Sequence, residues 1–218
     1  DMGYLPEAMR AYLLRIGWSH GDQEIFTDKE AIAAFDISGI NRAPGRLDPD
    51  KLGQVNAHFM RLADDERLFG LLKPLWEAEG PIGEAESRLR AALPHLKDRG
   101  TTLPELAQSF AFLLAKRPLS LNKNARKALS GEGLDRLRGL RDELQCLPQW
   151  TADEISVTIS SYCTAQGLSM GQIGQPLRAA LTGGLPAPDI APVVEWLGRD
   201  EALGRIDDQL ASRTAEDA

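Results

Sequence analysis

The sequence predicts a mostly α-helical protein, and three observations carry that expectation. Apolar residues recur at helical spacing, as Leu68, Leu71, Leu72, Leu75 and Trp76 do. The Ser/Thr-x-x-Glu/Gln pattern that opens helices occurs at Thr102, Thr151 and Ser169. No long apolar–polar alternation demands a sheet, although a short strand pair within residues 1–63 stays open.

Taken in order, Pro6-Glu7 starts a helix with apolar Met9, Leu13 and Ile16, and Gly17 ends it. Asp28 is expected to cap a short second helix running to Phe35. Residues 38–47 read as an irregular loop. Asp48 caps a third helix with Pro49 at its first position, where the missing N–H costs nothing. The next helix starts near Asp64 and breaks at Gly80-Pro81. Thr151 opens a helix striped by Ile155, Ile159, Tyr162 and Cys163. Ser169 opens another, striped by Ile173, Leu177 and Leu181 and stopped by Gly183-Gly184. Pro188 and Asp200 are placed at the starts of the last two helices, and Pro148 marks a domain boundary. Residues Ser212–Ala218 are expected to fray.

The 218 residues, 43% apolar and 26% charged, suit a soluble globular chain with enough length for two or three small cores. No apolar run approaches the roughly 20 residues that cross a bilayer, and the opening residues do not form a signal peptide. They read instead as a loop before a helix, as if the chain continued a longer polypeptide. Cys146 and Cys163 lack metal-ligand spacing and fit a reducing cytoplasm as core or near-core thiols. The net charge is −7, unevenly spread: −2 over residues 1–63, +1 over 64–145 and −6 over 146–218. Residues 116–141 hold eight Lys/Arg against two Asp/Glu. Such a block can bind a polyanion locally, or it can be a solvated helical face.

Catalytic constellations are sparse. His20, His58 and His95 lie far apart, and no metalloprotease, Cys-x-x-Cys, Gly-x-Ser-x-Gly or phosphate-loop pattern occurs. Ser19-His20-Gly21-Asp22 reads better as a polar turn than as a hydrolase site, and His58 better as a boundary histidine than as a ligand. Trp18, Trp76, Trp150 and Trp196 could stack on bases, but each adjoins an apolar run and core packing is expected.

Specific strings take the reading further. Gly3-Tyr4-Leu5-Pro6-Glu7-Ala8, Tyr12-Leu13 and the run Gly17–Phe26 resemble a segment of bacterial glutamyl-tRNA synthetases that follows their catalytic core. Asp50-Lys51-Leu52, Asn56 and His58-Phe59 resemble that family's next helix. Gly171-Gln172-Ile173-Gly174-Gln175-Pro176-Leu177-Arg178-Ala179-Ala180-Leu181-Thr182-Gly183 resembles its carboxy-terminal signature. The two ends match closely, and residues 64–145 only at scattered positions. The family's His-Ile-Gly-His and Lys-Leu-Ser-Lys-Arg motifs are both absent.

The resemblance implies a stem-contact segment (1–63) followed by two helical anticodon-binding domains (64–145 and 146–218). It implies tRNA as partner, specific for glutamate, with glutamine tRNA left open. No membrane role, a monomeric state and a cytoplasmic location are expected. ATP and Mg would serve the full-length ligase, and this chain by itself would carry no catalytic residues, metal or cofactor. Arg99 resembles the arginine that reads the last anticodon base; its planar donor fork suits the cytosine acceptors. The competing expectation is a salt bridge to Asp98 or to a neighbouring helix. Arg178 resembles a second anticodon-loop arginine. Ala187, Pro188, Ile190 and Ala191 match a segment packing on anticodon bases, with Ala187 and Ala191 small where the family pattern carries a hydroxyl and a larger residue. Within the basic block, Lys116, Arg117, Lys123, Arg126 and Lys127 are the candidate phosphate contacts. Two rivals remain: a helical protein-interaction module without an RNA role, and a small hydrolase using His20 and Asp22.

Overall fold

A computed structural model describes residues 2–41 and 45–216, and two compact units emerge from it. The first comprises residues 1–81 and 93–109, the second residues 82–92 and 110–218. These cuts differ from the expected joints at 63/64 and 145/146. The helices on either side of each expected joint fall in the same unit.

In the first unit, α1 (Pro6–Gly17) packs on α3 (Pro49–Leu62), and α4 (Asp65–Trp76) on α6 (Leu103–Ser109). Helix α1 starts at Pro6 and ends at Gly17 as expected, but its buried face is Ala8, Ala11 and Tyr12. Leu13 is exposed, while Met9 and Ile16 are half-buried. Small Ala8 and Ala11 admit a closely packed partner, and the Tyr12 hydroxyl has a partner of its own. It accepts from the Asp48 N–H at 2.6 Å and sits 3.0 Å from the Asp48 carbonyl. Helix α2 (Asp28–Ala34) is capped by Thr27, one residue before the expected Asp28. Thr27 Oγ1 accepts from the Glu30 N–H and Glu30 reaches back to the Thr27 N–H, a complete capping box. Asp28 instead meets Arg10 through two hydrogen bonds of 3.0 and 2.7 Å. No residue of α2 is buried. A 3-10 turn, Ile37–Gly39, follows. Residues 42–44 of the expected loop lie outside the described residues. Among the described residues the sheet possibility reduces to isolated bridges, Trp18 with Ile40 and His20 with Gln23.

Asp48 caps α3 through the N–H groups of Asp50 and Lys51, and Asp64 caps α4 through that of Arg67. On α4 the core side is Leu68, Phe69, Leu72 and Trp76, whereas Leu71 and Leu75 are partly exposed. Helix α5 (Ala85–Leu96) is not delimited by the sequence signals above, and its residues divide between the two units.

The second unit is built around α11 (Met170–Thr182). It packs against α7 (Ala111–Leu114), α8 (Lys123–Ala128), α9 (Glu132–Gln145), α10 (Ala152–Gln166), α12 (Ile190–Leu197) and α13 (Arg199–Glu216). Ile173, Leu177 and Leu181 are fully buried, each contributing roughly 1.5–3 kcal/mol. Gln172 Oε1 accepts from the Ser169 N–H and Oγ at its start. Gly183 ends it in the left-handed region, φ 65°. Helices α12 and α13 start one or two residues from their expected points, at Ile190 after Asp189 and at Arg199. Helix α13 extends to Glu216 across most of the segment expected to fray; residues 217–218 lie outside the described residues. Cys163 is buried as expected, but Cys146 is exposed, because it caps the end of α9 rather than facing inward.

Arg205 on α13 is fully buried in this unit. Its Nη1 donates to the Phe112 and Leu181 carbonyls at 2.8 and 2.6 Å and its Nη2 to that of Ala115 at 2.7 Å. Its Nε donates to Glu201 at 2.7 Å. One guanidinium thus serves carbonyls at the ends of α7 and α11, which no intrahelical donor reaches. Burial pushes the Arg205 pKa down, and the Glu201 hydrogen bond opposes that shift.

Candidate nucleic-acid interface

In the first unit, the segment bearing Arg99 has a fixed backbone and a free side chain. The Asn56 side chain, 0% exposed, accepts from the Leu5 N–H at 2.7 Å and donates to the Thr101 carbonyl at 2.7 Å. The Leu103 N–H donates to the Gly3 carbonyl at 2.9 Å. Thr102 caps α6, its Oγ1 accepting from the Glu105 N–H. Glu105, however, reciprocates one residue earlier than a simple capping box would, at the Thr101 N–H and hydroxyl. Those bonds, led by the Thr101 hydroxyl, hold its carboxyl below the usual range. Gly100 is obligatory here, since a Cβ would meet the backbone of Glu105 and Leu106. From this frame Arg99 projects exposed, and among the described residues its side chain makes no ion pair, with Asp98 or any other group.

In the second unit, the structure brings Arg178 and the 187–191 segment together. Arg178 Nη1 donates to the Ala187 and Pro188 carbonyls at 2.8 and 2.6 Å. Its Nε and Nη2 have no protein partner among the described residues. Arg178, Ala187, Pro188, Ile190 and Ala191 are all partly exposed. A guanidinium edge, small side chains and a proline face are therefore presented together, a set suited to stacking and edge contacts with unpaired bases.

The five candidate phosphate contacts do not form one class. All are exposed. Lys116, Lys123, Arg126 and Lys127 make no ion pair among the described residues, and the last three share the single short helix α8. Arg117 instead forks onto Asp208 of α13 at 2.7 and 2.8 Å. Gly204 leaves the room its guanidinium fills. That hydrogen bond is the main cause that raises the Arg117 pKa and lowers that of Asp208. Arg141 pairs likewise with Asp207 at 2.8 and 3.0 Å. The basic block is thus partly neutralised by carboxylates of the acidic last helix. An open groove of about 800 Å³ borders Lys127, with Asn124, Arg136 and Gln175 among its lining residues.

The other candidates settle into packing. Trp18 is buried, donates to the Asp36 carbonyl at 2.9 Å and stacks against His20 and Phe35. His20 lies on that ring at 5.7 Å between centroids, an arrangement that orients its imidazole. Trp76 donates to the Ala107 carbonyl and Trp150 to that of Val194, with the Arg199 guanidinium over the Trp150 ring, and Trp196 is buried. Among the described residues no group of three His, Cys, Asp or Glu could hold a metal, and no helix is long and apolar enough to cross a membrane. Three roles go unseen in the sequence: the buried fork of Arg205, the capping of α8 by Asn122 and the scaffold bonds of Asn56. Asn122 carried a usable signal, an N-cap residue directly before a charged helical run.

A family profile described as "Anticodon binding domain" matches residues 67–210. Glutamate–tRNA ligase 1 of Hyphomonas neptunium is 71% identical over 97% of this chain and 44% of its own length. Glutamate–tRNA ligase 2 of Maricaulis maris is 48% identical over 99% of this chain and 46% of its own. The chain thus spans a little under half the length of these curated relatives. A crystal structure of a glutamate tRNA ligase from Elizabethkingia meningosepticum, in complex with its amino acid, superposes with a TM-score of 0.85 at 28% identity. It covers 96% of this chain and 42% of that one.

Proposed function

Because the chain belongs to the family of anticodon binding domains, we propose that it is the carboxy-terminal, tRNA-binding part of a bacterial glutamate–tRNA ligase and reads the anticodon. The observation that carries this reading is the Arg178 fork, which shapes the 187–191 segment and leaves its own Nε and Nη2 free for a ligand. Lys123, Arg126 and Lys127 of α8 supply phosphate contacts that fix register, and Arg99 tests the last anticodon base. In the whole ligase, residues outside this chain activate glutamate with ATP and Mg; the partner is glutamate tRNA, and the protein works as a cytoplasmic monomer.

Arg99 makes the reading testable. Glutamate and glutamine tRNAs differ at the last anticodon base, cytosine against guanine. Read on the Watson–Crick edge, cytosine offers its N3 and O2 acceptors to a free guanidinium, whereas guanine sets its N1–H and N2–H donors against the guanidinium donors. A wrong base costs about 1–3 kcal/mol by analogy with base-edge readout in DNA. Binding of both tRNAs at one fixed salt concentration is the measurement, and Arg99→Gln is expected to narrow the preference for glutamate tRNA. Equal loss for both would reduce Arg99 to a phosphate contact. A chain that binds neither tRNA would favour the second reading, a protein-interaction module, for which exposed Ile32, Phe35 and Ile37 in the first unit are the supporting observation.

A further inference from the structure

The turn between α11 and α12 is pinned at both ends. At its far end Arg178 holds the Ala187 and Pro188 carbonyls. At its near end the holder is Asn122, which lies 62 residues away from Gly184 in sequence. The Asn122 N–H donates to the Gly183 carbonyl at 3.0 Å, and its Nδ2 donates to the Gly184 carbonyl at 2.8 Å. Its Oδ1 accepts from the Ala125 N–H at 2.8 Å, which caps α8. One side chain therefore joins the start of the basic helix to the start of the turn.

The glycine pair is shaped for this joint. Gly183 and Gly184 have φ of 65° and 89°, values that side-chain-bearing residues rarely adopt. A Cβ on Gly183 would lie 2.5 Å from the Ser120 carbonyl oxygen, and one on Gly184 would lie 2.5 Å from the Asn122 amide carbon. The turn is further tied back by Thr182, whose Oγ1 accepts from the Gly184 N–H at 3.2 Å. The close approach of Ser120 and Asn122 is thus built into the backbone of both partners.

We infer that Asn122 is a positioning residue for RNA recognition: it sets the base-contacting turn in register with the cations of α8. The inference rests on the anticodon reading proposed above. Asn122 itself needs no contact with RNA. It fixes the turn before binding, so that little ordering remains when a base arrives.

The test uses Asn122→Ser, because serine is an N-cap of similar strength, is neutral, and is too short to reach the Gly184 carbonyl. Binding of the 218-residue chain to a glutamate tRNA transcript is compared with binding to the same transcript carrying altered anticodon bases, across a salt series. The expected result for Asn122→Ser is a loss on the order of three- to tenfold for the matched tRNA, the effect of one hydrogen bond. Binding to the altered transcript and the salt slope stay as in the native chain, because the α8 cations are untouched. Added to Arg178→Ala, the substitution costs less than it does alone, since the turn is already released. Native-like discrimination in Asn122→Ser overturns the inference, as does an equal loss for both transcripts accompanied by a matching fall in melting temperature. A native chain that does not distinguish the two transcripts would overturn the anticodon reading itself, and the inference with it.

Discussion

Replacing Arg205 with methionine removes one buried guanidinium and keeps most of its length. Apolar replacement of a buried ion pair is often neutral or stabilising when both partners are replaced. Here three of the four acceptors are backbone carbonyls, those of Phe112, Ala115 and Leu181, and no side-chain substitution can remove them. Each buried acceptor left unpaired costs about 1–3 kcal/mol. Glu201 loses its closest donor but keeps Arg88 at 3.5 Å. Taking the lower end for carbonyls at helix ends, the expected loss is about 3–5 kcal/mol, comparable with breaking a buried pair from one side. In urea, with a slope of about 1–3 kcal/mol per molar, the midpoint of the second unit moves down by roughly 2 M. Hydrogen exchange of the α11 amides alongside urea unfolding reads that unit directly. Arg205→Lys is expected to fall between, because one ammonium cannot span all four acceptors. A methionine variant within about 1 kcal/mol of the native chain would refute the argument that these carbonyls depend on Arg205.

Three further expectations follow from the same contacts. Alanine at Lys123, Arg126 and Lys127 together lowers the salt slope of tRNA binding by about 0.7–0.9 for each phosphate no longer neutralised, whereas Arg117→Ala leaves the slope unchanged because Asp208 holds that fork; filter binding across a salt series decides both. Gly100→Ala forces the Arg99 segment away from the Glu105–Leu106 backbone and weakens tRNA binding more than it lowers the melting temperature. Glu7, Glu105 and Asp208 have folded pKa values below their ordinary ones, through Arg67, Thr101 and Arg117 respectively; their contribution is complete above the unfolded pKa and disappears as pH falls through the folded values, so stability should decline from about pH 5 downward. A urea midpoint that does not change between about pH 6 and about pH 4 would contradict it.

Much of the helical scaffold was legible because its signals are local. Helix α11 shows this best: a capping pattern at Ser169, a stripe at Ile173, Leu177 and Leu181, and a glycine stop all agree. Helix α9 follows Gly131, φ 58°, with no side-chain cap, so its start carries no capping signal and only the stripe of Leu134, Leu137, Leu140 and Leu144 announces it. The expected α1 stripe takes the larger apolar residues, whereas packing against α3 selects the small face. At the site, Arg178 and the 187–191 segment could be placed together only through resemblance, since the hydrogen bonds joining them depend on the turn. Charge counted in windows overstates the basic block. Arg117 meets Asp208 91 positions away and Arg141 meets Asp207 66 away, distances no local window spans. Arg205 was invisible for a related reason, because a lone arginine on a polar helix reads as solvated until its carbonyls are known.

The partial neutralisation of that block bears on how quickly a wrong RNA is released. The chain is acidic as a whole, and the carboxylates of α13 pair with Arg117 and Arg141 while, among the described residues, Lys123, Arg126 and Lys127 stay unpaired together on one short helix. At physiological ionic strength attraction fades beyond about 8 Å, so such a patch captures RNA only at close range. A uniformly basic surface would hold any transcript for long periods whatever its sequence. With few phosphates engaged, residence time depends instead on whether the bases fit. On the anticodon reading proposed above, mismatched tRNAs are expected to dissociate early, which stopped-flow release of matched and altered transcripts would measure.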